Sequence, residues 1–392
     1  MTVSETPPGE SSPSAPAETS GFGSPMRRAR ISTAAISDNV RELRRRIPDT
    51  TIIAVVKANA YGHGAVESAR AALDGGATWL GVADLCEALE LREAGIQEPV
   101  LFWIHAPGTD FGVAIERGID VGVNSRAQLD AVTEAARRVG SPAIVQLKCD
   151  SGLSRNGIPT AERAEVFARA RAYETEGLLR VRGVFSHLSN ASEADDRAAV
   201  ELFMDILAEA RAAGLTPELT HIAASAAALS YPGLPVNAVR LGLLLYGLSP
   251  LPGQTSADLG LRPAMRLEGT VLHVRRLPAG TGLSYDYTYH TAAETTVVLV
   301  GLGYADGIPR AASSVAPVSI NGRTYRVSGR VAMDQFIVDV GDDTVQVGDT
   351  AVLWGDPADG IPSVEEFASA CGTINYEMVT RVGPRVTRVY AS

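Results

Sequence analysis

Short apolar segments alternate with longer amphipathic segments along the first two thirds of the chain. The apolar segments have the length and β-branched content of buried strands, while the segments between them repeat their apolar residues with a helical period. We predict eight strands, over residues 52–56, 79–82, 100–103, 120–123, 144–147, 181–185, 219–222 and 238–240. Eight strands with helical connections predict a (β/α)8 barrel, with an open doubly wound sheet as the alternative.

The pattern changes after about residue 261. The segments that follow alternate apolar and polar residues, and they are interrupted by glycines and by Asn321-Gly322, a dipeptide typical of β-hairpin turns. The predicted fold class is therefore α/β, with a barrel domain over residues 26–261 followed by a mostly antiparallel β domain over residues 262–392.

The first 25 residues differ from both domains. They contain five prolines and six serines, and they have too little apolar surface to offset the entropy lost on ordering, so residues 1–25 are predicted to be disordered. They have neither the basic start nor the apolar core of a secretory signal. The cysteines are far apart and form no CxxC pair, which indicates neither a disulfide framework nor a metal site and favours a cytoplasmic location.

The charge balance limits the class of partner. Of the 392 residues 45 are acidic and 35 basic, which gives a formal net charge of −10, and the basic residues form no cluster. Surfaces that bind nucleic acid neutralise phosphates with basic side chains, so no nucleic-acid partner is expected. Prolines and glycine interrupt the longest uncharged stretch, residues 241–257, so no membrane partner is expected either.

In a barrel the catalytic groups lie at the carboxyl ends of the strands. Lys57 directly follows the first predicted strand, where an ammonium group loses hydration unless it is paired or converted covalently. A Schiff base with an aldehyde cofactor would remove this charge and supply an electrophile. On local physics alone, a salt-bridged lysine that reaches the rim is an equally good interpretation.

Other predicted strands also end in candidate groups. Arg155 lies with Lys148 near a glycine-rich loop and could clamp a carboxylate or phenolate oxygen, although an exposed arginine in a turn is the commoner interpretation. His187 and Ser225 have ordinary roles as a core histidine and a helix N-cap, and Ser225 could instead help to hold a phosphate. Arg240, among valine and leucine, needs a partner if it is buried. Several such groups on one rim are less easily explained by chance than any one alone.

The predicted β domain adds four segments with candidate residues. They are SYDYTY with Tyr285, GYADG with Tyr304, RVAMDQ with Met333 and INYE with Tyr376. Tyrosines in hairpins usually pack across strands, and we expect that role for Tyr287, Tyr289 and Tyr325.

Taken together, these segments resemble the bacterial alanine racemases, which are fold type III enzymes dependent on pyridoxal 5′-phosphate (PLP). AVVKANAYGHG, residues 54–64, is similar to the family's PLP-lysine signature, and the four β-domain segments follow in the family's order. The resemblance extends from about Arg28 to the end of the chain. It implies an isomerase that interconverts L-alanine and D-alanine, supplies D-alanine for peptidoglycan and acts as a homodimer with shared active sites.

The resemblance also implies roles for individual residues. Lys57 would bind PLP as a Schiff base and act as the base for the D-enantiomer, while the partner's Tyr285 would act on the L-enantiomer. Lys148, carbamylated in many members, would orient Arg155. His187 would link Tyr285 to Arg240, which would face the pyridine nitrogen. The implied cofactor contacts are Lys57, Tyr61, Arg155, His187, Ser225, Arg240, Gly242, Leu243 and Tyr376, and the implied substrate contacts are Arg155, Met333 and Tyr304.

The chain departs from the family pattern at three places. Asp286 stands where glycine usually follows the catalytic tyrosine, Ala332 stands where many members have cysteine, and IHAPG replaces the usual loop after the third strand. A racemase with activity on serine or a broader substrate set is therefore an alternative. A PLP decarboxylase is disfavoured by Arg240, and a non-catalytic PLP carrier is disfavoured by the β domain.

Overall fold

The structure is a computed structural model that describes residues 26–391, so the predicted disorder of residues 1–25 lies outside the described residues. In chain order the strands are β1 (Arg27–Ser32), β2 (Thr51–Val55), β3 (Trp79–Val82), β4 (Val100–Phe102), β5 (Asp120–Val123), β6 (Ala143–Lys148), β7 (Leu179–Phe185), β8 (Leu219–His221), β9 (Ala238–Leu241), β10 (Met265–Leu277), β11 (Gly282–Leu283), β12 (Tyr289–His290), β13 (Thr295–Val300), β14 (Pro317–Ile320), β15 (Arg323–Arg326), β16 (Phe336–Gly341), β17 (Thr350–Trp354) and β18 (Thr387–Ala391).

The helices connect the strands of the first sheet and cover part of the second. They are α1 (Thr33–Arg46), α2 (Lys57–Tyr61), α3 (Ala65–Asp74), α4 (Leu85–Glu93), α5 (Phe111–Glu116), α6 (Arg126–Val139), α7 (Thr160–Thr175), α8 (Glu193–Ala212), α9 (Ser225–Ser230), α10 (Val364–Ala370) and α11 (Asn375–Thr380). Within the described residues, no helix has both the length and the apolar composition needed to cross a membrane.

Strands β2 to β9 form a parallel barrel. Each strand pairs with the next along the chain from β2 to β8, and β9 returns to pair with β2. A parallel bridge between Ala224 and Arg240 joins the two ends of the sheet. The predicted barrel is thus confirmed, and all eight predicted strands are present. Their apolar runs are continuous because a barrel strand is buried on both faces.

The surrounding helices begin and end where their sequences supply caps. In α6, the Ser125 hydroxyl accepts a hydrogen bond from the backbone N–H of Gln128, and Gly140 ends the helix in a left-handed conformation with φ of 75°. Leu129 and Val132 on the inner face are fully buried. Burial of such a side chain contributes about 1.5–3 kcal/mol, so the packed face stabilises the helix more than its caps do.

The second sheet is centred on the long strand β10. This strand pairs antiparallel with β1, β13 and β17, while β14 joins β15 to β17 and β16 extends the sheet beyond β13. The prediction of a mostly antiparallel sheet is confirmed. Among the described strands of this sheet, β18 is the exception, because it lies parallel to β1.

Strand β1 lies in the range predicted for the barrel domain, yet it belongs to the second sheet. The chain therefore begins its described part in the β sheet, passes through the barrel and returns. Ala29 and Ile31 face the core, whereas Arg28 and Arg30 pair with the buried carboxylate of Glu268, with the Arg30 Nε atom 2.9 Å from its oxygen. With only two apolar residues, β1 carries too weak an alternation to be predicted from its own sequence.

Candidate active site

The segment Lys57–Tyr61, given above as α2, is not an ordinary right-handed helix. Residues 58–61 all have φ between 52° and 53°, which makes a left-handed turn although none of them is glycine. This conformation costs roughly 1–2 kcal/mol for each such residue, because the side chain approaches the carbonyl oxygen. The turn begins at the carboxyl end of β2, at the mouth of the barrel, so its geometry determines where Lys57 emerges. Contacts from neighbouring segments must offset this strain.

Two polar side chains supply such contacts. The Glu87 carboxylate accepts hydrogen bonds from the backbone N–H groups of Ala58, at 2.6 Å, and Ala83, at 2.7 Å. The Asn59 side chain accepts from the N–H of Ala65 at 2.9 Å. Glu87 therefore joins the loops that follow β2 and β3 and fixes the backbone next to Lys57.

His63, in the signature segment, has a structural role. Its ring is fully buried and stacks on Tyr246 with the centroids 4.4 Å apart. The Nδ1 atom lies 3.0 Å and 3.1 Å from the carbonyl oxygens of Ala60 and Tyr61, so this nitrogen carries the hydrogen. Burial lowers the pKa of His63 to about 4, which keeps the ring neutral. The ring stabilises the left-handed turn and does not face the barrel mouth as an acid or base.

The predicted basic residues meet at one rim. Burial lowers the pKa of Lys57, and the nearby positive charges of Arg155 and Arg240 lower it further. Burial, with Arg240 and Arg155 as further causes, lowers the pKa of Lys148 to about 8. Within residues 26–391, no carboxylate forms an ion pair with any of these four side chains. The rim therefore has an excess of positive charge and is suited to binding an anion.

Arg240 is buried and donates five hydrogen bonds. The acceptors include Nδ1 of His221 at 2.7 Å, Nδ1 of His187 at 2.9 Å and the carbonyl oxygen of Ser186 at 2.7 Å. Because a guanidinium only donates, both Nδ1 atoms must be unprotonated, and each neutral ring carries its hydrogen on Nε2. Burial and the Arg240 charge lower the pKa of His187 to about 3. Burial and Arg155 lower the pKa of Arg240 to about 9, which leaves it charged at neutral pH.

A line of buried polar groups runs from Arg240 into the barrel. The His221 Nε2–H donates to the Gln146 side-chain oxygen at 2.8 Å, and the Gln146 amide donates to Asp120 at 3.0 Å. Arg182 donates to the other Asp120 oxygen at 2.8 Å. Each donor and acceptor is thereby assigned, so the ionised Asp120 and its partner Arg182 fix the tautomer of His221. This line could not be predicted from the sequence, because each member is a polar residue of a barrel strand whose partners lie on other strands.

Ser225 and Gly242 lie together at the same rim. Ser225 is buried and is the first residue of α9, and Ala224 occupies the N-cap position that the sequence suggested for Ser225. The Ser225 hydroxyl instead accepts a hydrogen bond from the backbone N–H of Gly242 at 3.2 Å. These polar groups are therefore close enough to bind one ligand.

Two tyrosines pack beside this pair. The rings of Tyr61 and Tyr376 are 6.2 Å apart, and Leu243 next to them is fully buried. A Cβ atom on Gly242 would lie 2.3 Å from the Tyr61 hydroxyl oxygen, so the approach of Tyr61 requires glycine there. Five of the predicted cofactor contacts thus converge on one small region at the barrel mouth.

The loop after β6 carries Arg155. The Asp150 carboxylate accepts from the N–H groups of Gly152 and Ser154, which folds the loop back toward the rim. Arg155 itself is exposed. The Lys148 amine donates to the side-chain oxygen of Asn156, a partner that the sequence analysis did not identify.

The predicted β-domain residues other than Tyr376 are exposed rather than packed into the rim. Tyr285, Tyr304 and Met333 are 67%, 40% and 53% exposed. Among the described residues, no hydrogen bond, ion pair or ring contact joins them to Lys57 or to Arg155. Tyr304 and Met333 are nevertheless held near each other, because the Tyr304 N–H donates to the carbonyl oxygen of Ala332 at 3.0 Å.

Comparison with known proteins places this arrangement in a family. Residues 31–250 match the model for the N-terminal domain of alanine racemase, and residues 264–390 match the model for its C-terminal domain. The chain is 48% identical over 365 residues to an alanine racemase of Thermobifida fusca, covering 92% of this chain and 97% of that protein. It is also 48% identical to an alanine racemase of Streptomyces coelicolor over 374 residues, covering 93% and 96%.

Solved structures give the same result. The crystal structure of alanine racemase from D-cycloserine-producing Streptomyces lavendulae superposes with a TM-score of 0.93 at 47% identity, covering 95% of this chain and 98% of that one. Alanine racemase from Streptomyces coelicolor A3(2) superposes with a TM-score of 0.91 at 46% identity, covering 93% and 98%. Both domains match in order and over nearly their full lengths, and the chain belongs to the alanine racemase family.

Proposed function

We propose that the protein interconverts L-alanine and D-alanine by a PLP-dependent mechanism with two bases, Lys57 and Tyr285, and thereby supplies D-alanine for peptidoglycan. The observation that carries this proposal is the position of Lys57, a half-buried amine without an ion pair among the described residues, on a rim that is rich in positive charge. The lowered pKa favours the neutral amine that can bind a carbonyl group.

The residues at the rim fit PLP. A phosphate would be held by the groups around the first turn of α9, and the excess positive charge suits an anionic ring substituent. The phosphate contacts would be Tyr61, Ser225, Gly242, Leu243 and Tyr376, with Lys57 as the covalent attachment. When bound, PLP withdraws electrons from the substrate and makes its Cα–H bond acidic enough for a side-chain base.

Racemisation needs a proton removed from one face of Cα and a proton delivered to the other face, and therefore two acid–base groups. Lys57 would serve the D-enantiomer and Tyr285 the L-enantiomer. Because Tyr285 is exposed and has no contact with Lys57 within the described chain, we propose that the partner's Tyr285 completes each site. A two-fold symmetric homodimer would then contain two equal sites.

Hydrogen-bond direction supports this role of Tyr285. The Nδ1 atom of His187 accepts from Arg240, so the Nε2–H of His187 is free to donate to a tyrosine oxygen. That donation would favour the deprotonated tyrosine, the form that can remove a proton. Arg240 would face the ring nitrogen of PLP and, since it keeps its own proton, would leave that nitrogen unprotonated, which favours return of the proton to Cα over side reactions.

The remaining predicted residues would bind the substrate carboxylate and line the entrance to the active site. Arg155 is suited to binding a carboxylate through paired N–H groups, and the backbone of Met333 and the side chain of Tyr304 would lie nearby in the dimer. Lys148 would carry a carbamate that orients Arg155. Its lowered pKa supports this, because the neutral amine attacks carbon dioxide and then loses a proton.

The proposal includes a cytoplasmic location, which is supported by the free state of the three cysteines, Cys86, Cys149 and Cys371.

Activity on serine or other small amino acids is the second candidate function, because Asp286 adds a negative charge beside Tyr285.

The test uses the purified holoenzyme. Borohydride reduction should fix the cofactor to the peptide that contains Lys57, and chiral chromatography after incubation with L-alanine should show D-alanine. A panel of small amino acids, including serine, separates an alanine racemase from a broader one. Cofactor fixed to another lysine would contradict the assignment of Lys57, and a protein that binds PLP without turning over any amino acid would be a carrier.

A further inference from the structure

The turn that carries Tyr285 has a strained backbone on both sides of that residue. Ser284 has φ of 59° and ψ of −166°, a combination that glycine adopts and other residues rarely do. Asp286 has φ of 61° and Tyr287 has φ of 46°. Aspartate tolerates the left-handed region better than most residues, but serine at Ser284 has no such tolerance. Strain of this kind persists only where surrounding contacts hold it.

Arg330 contacts both neighbours of Tyr285. Its backbone carbonyl oxygen accepts a hydrogen bond from the Ser284 hydroxyl at 2.7 Å. Its Nε atom lies 2.6 Å from a carboxylate oxygen of Asp286 in an ion pair. Tyr285 itself, by contrast, is 67% exposed. The turn is therefore held through the residues on either side of Tyr285 rather than through its ring.

The position of Arg330 is itself fixed by its chain neighbours. The N–H of Gly329 donates to the Ser314 hydroxyl at 3.1 Å, and the N–H of Val331 donates to the Ser313 hydroxyl at 3.0 Å. Gly329 has φ of 84°, and a Cβ atom there would lie 2.7 Å from the carbonyl oxygen of Leu283. The segment of residues 329–331 is thus packed between the turn at Ser313 and Ser314 and the turn that carries Tyr285. These contacts fix the backbone of Arg330 beside the Tyr285 turn.

We propose that Arg330 is a positioning residue for Tyr285, acting through Ser284 and Asp286. The proposal rests on the proposed function, in which Tyr285 is an acid–base group. The family resemblance places glycine where this chain has Asp286, and glycine would adopt this backbone without strain but could form no ion pair. Asp286 has less conformational freedom than glycine, but it forms the ion pair with Arg330. This ion pair restricts the orientation of the Tyr285 side chain.

The first measurement is amide hydrogen exchange of residues 282–291 in the holoenzyme. Asp286→Asn keeps the side-chain size and the tolerance for positive φ but removes the charge, so exchange should become roughly two- to fivefold faster, as expected for loss of an exposed ion pair. Asp342→Asn is the matched control, because Asp342 is an exposed aspartate paired with Arg276 at 2.7 Å. It should leave exchange in residues 282–291 unchanged.

A double variant identifies the contact that matters. Arg330→Met removes the guanidinium but keeps the backbone carbonyl that binds Ser284. If the ion pair holds the turn, Asp286→Asn should produce no further increase in exchange when Arg330→Met is already present. Equal increases in both backgrounds would show that Asp286 acts without Arg330 and would overturn the proposal.

The second measurement separates positioning from a purely structural role. The two enantiomers have equal free energy, so kcat/KM must fall by the same factor in both directions and cannot reveal which base is affected. The primary isotope effect can, because α-deuterated L-alanine reports removal of the proton by Tyr285. In Asp286→Asn this isotope effect should rise, whereas that for α-deuterated D-alanine should not.

The outcomes distinguish the two proposals. Faster exchange with unchanged isotope effects would overturn the positioning role, and parent-like exchange in Asp286→Asn would overturn the contact itself. Tyr285→Phe is measured in parallel. If it turns over at the parent rate, the proposed two-base function fails, whereas the exchange data still decide whether Arg330 holds the turn.

Discussion

The rim of the barrel and the edge of the β domain that carries Tyr285 are built in different ways. At the rim, Arg240 is buried with five hydrogen bonds and Glu87 fixes the backbone beside Lys57. At the edge, Tyr285 and Met333 are more than half exposed, and the contacts recorded within residues 26–391 hold the tyrosine through its neighbours Ser284 and Asp286. Within residues 26–391, the rim groups have hydrogen-bond partners in their own chain, whereas no hydrogen bond or ion pair joins the side chains of Tyr285 and Met333 to the rim.

This difference has a physical reason. Charged groups that must keep a defined protonation state need fixed partners before any ligand arrives, and a buried network provides them. In the proposed homodimer, groups that reach the site from the other subunit stay uncovered until the subunits associate. The comparison therefore predicts that changes at the rim act within a chain, while changes at Tyr285 act on the other subunit of the proposed homodimer.

The largest expected effect comes from removing either base. Lys57→Ala and Tyr285→Phe should each lose at least about a hundredfold in kcat, since acid–base groups contribute that much or more. If the two residues belong to different chains of one site, coexpression of the two variants should restore activity, because each mixed dimer contains one intact site. Random pairing should give roughly a quarter of the parent activity.

Differential tags should be used to isolate the mixed dimer. Tyr287→Phe serves as the control partner, because Tyr287 is an exposed tyrosine of the same turn with no proposed catalytic role. Mixed dimers of the two base variants that form but remain inactive would contradict a shared site and would place both bases in one chain.

The next effect concerns Arg240. Arg240→Glu should slow racemisation on the order of a hundredfold, because a carboxylate in this position replaces a donor with an acceptor opposite three carbonyl oxygens. It can also keep the ring nitrogen of PLP protonated, so pyruvate from transamination should increase. Arg240→Lys keeps the positive charge and should lose stability without forming pyruvate. Parent-rate racemisation without pyruvate in Arg240→Glu would give this residue a structural role alone.

A third effect concerns stability in acid. Burial lowers the pKa of His63 to about 4 and that of His187 to about 3, and it lowers the pKa of His221 as well, from the usual 6.5. Below pH 6.5 the unfolded chain therefore binds protons that the folded chain does not, and the free energy of unfolding should fall by up to about 1.4 kcal/mol per pH unit for each histidine.

Asp120 has the opposite effect. Burial raises its pKa from 3.8 to about 6, so between these values the folded chain binds the extra proton and gains stability as pH falls. As pH falls, the free energy of unfolding should therefore decrease more steeply in Asp120→Asn than in the parent, and less steeply in His63→Asn. Urea unfolding of the holoenzyme at pH 7, 6 and 5 checks both directions. Identical slopes in the two variants would show that these groups do not titrate as their burial implies.

The barrel and the charged rim residues leave strong local patterns in the sequence, whereas Tyr61, Gly242 and Leu243 were implied only by the family resemblance. Continuous apolar strands identify the barrel, and Lys57 and Arg240 stand out as charges directly beside them. The line from His221 through Gln146 to Asp120 was not predicted, because each member is a single polar residue within an apolar strand and its partners come from other strands. Only the closed barrel brings them within hydrogen-bond distance.

Strand β1 and the Tyr285 turn show a second limit. The strand depends on Glu268, about 240 residues away in the sequence, to pair its arginines. Asp286 was identified as a departure from the family, but its contact with Arg330 follows from how two turns pack. Sequence patterns identify which residues are unusual, and long-range packing determines what those residues contact.

The smallest expected effect comes from Glu87→Gln, which changes the backbone contacts of the rim without removing a proposed base. Glu87→Gln keeps one acceptor but places an amide N–H₂ group against a backbone N–H, so either Ala58 or Ala83 loses its hydrogen bond. The left-handed turn should be destabilised by about 0.5–1.5 kcal/mol, the net contribution of one hydrogen bond, because the Ala58 donor is exposed and the Ala83 donor only partly buried. Loss of the Glu87 charge should also lower the pKa of Lys57 further, since Glu87 raises it in the parent.

Amide exchange at residues 58 and 83, followed together with kcat, checks this. Glu90→Gln is the matched control, because Glu90 is an exposed glutamate on the same helix. In Glu87→Gln the exchange should increase at one or both positions, and kcat should fall by less than in either base variant, because Lys57 is displaced rather than removed. The mixed-dimer test sharpens the outcome. A Glu87→Gln chain should lower activity only in the site that contains its own Lys57, which is the behaviour expected of a rim completed within one chain.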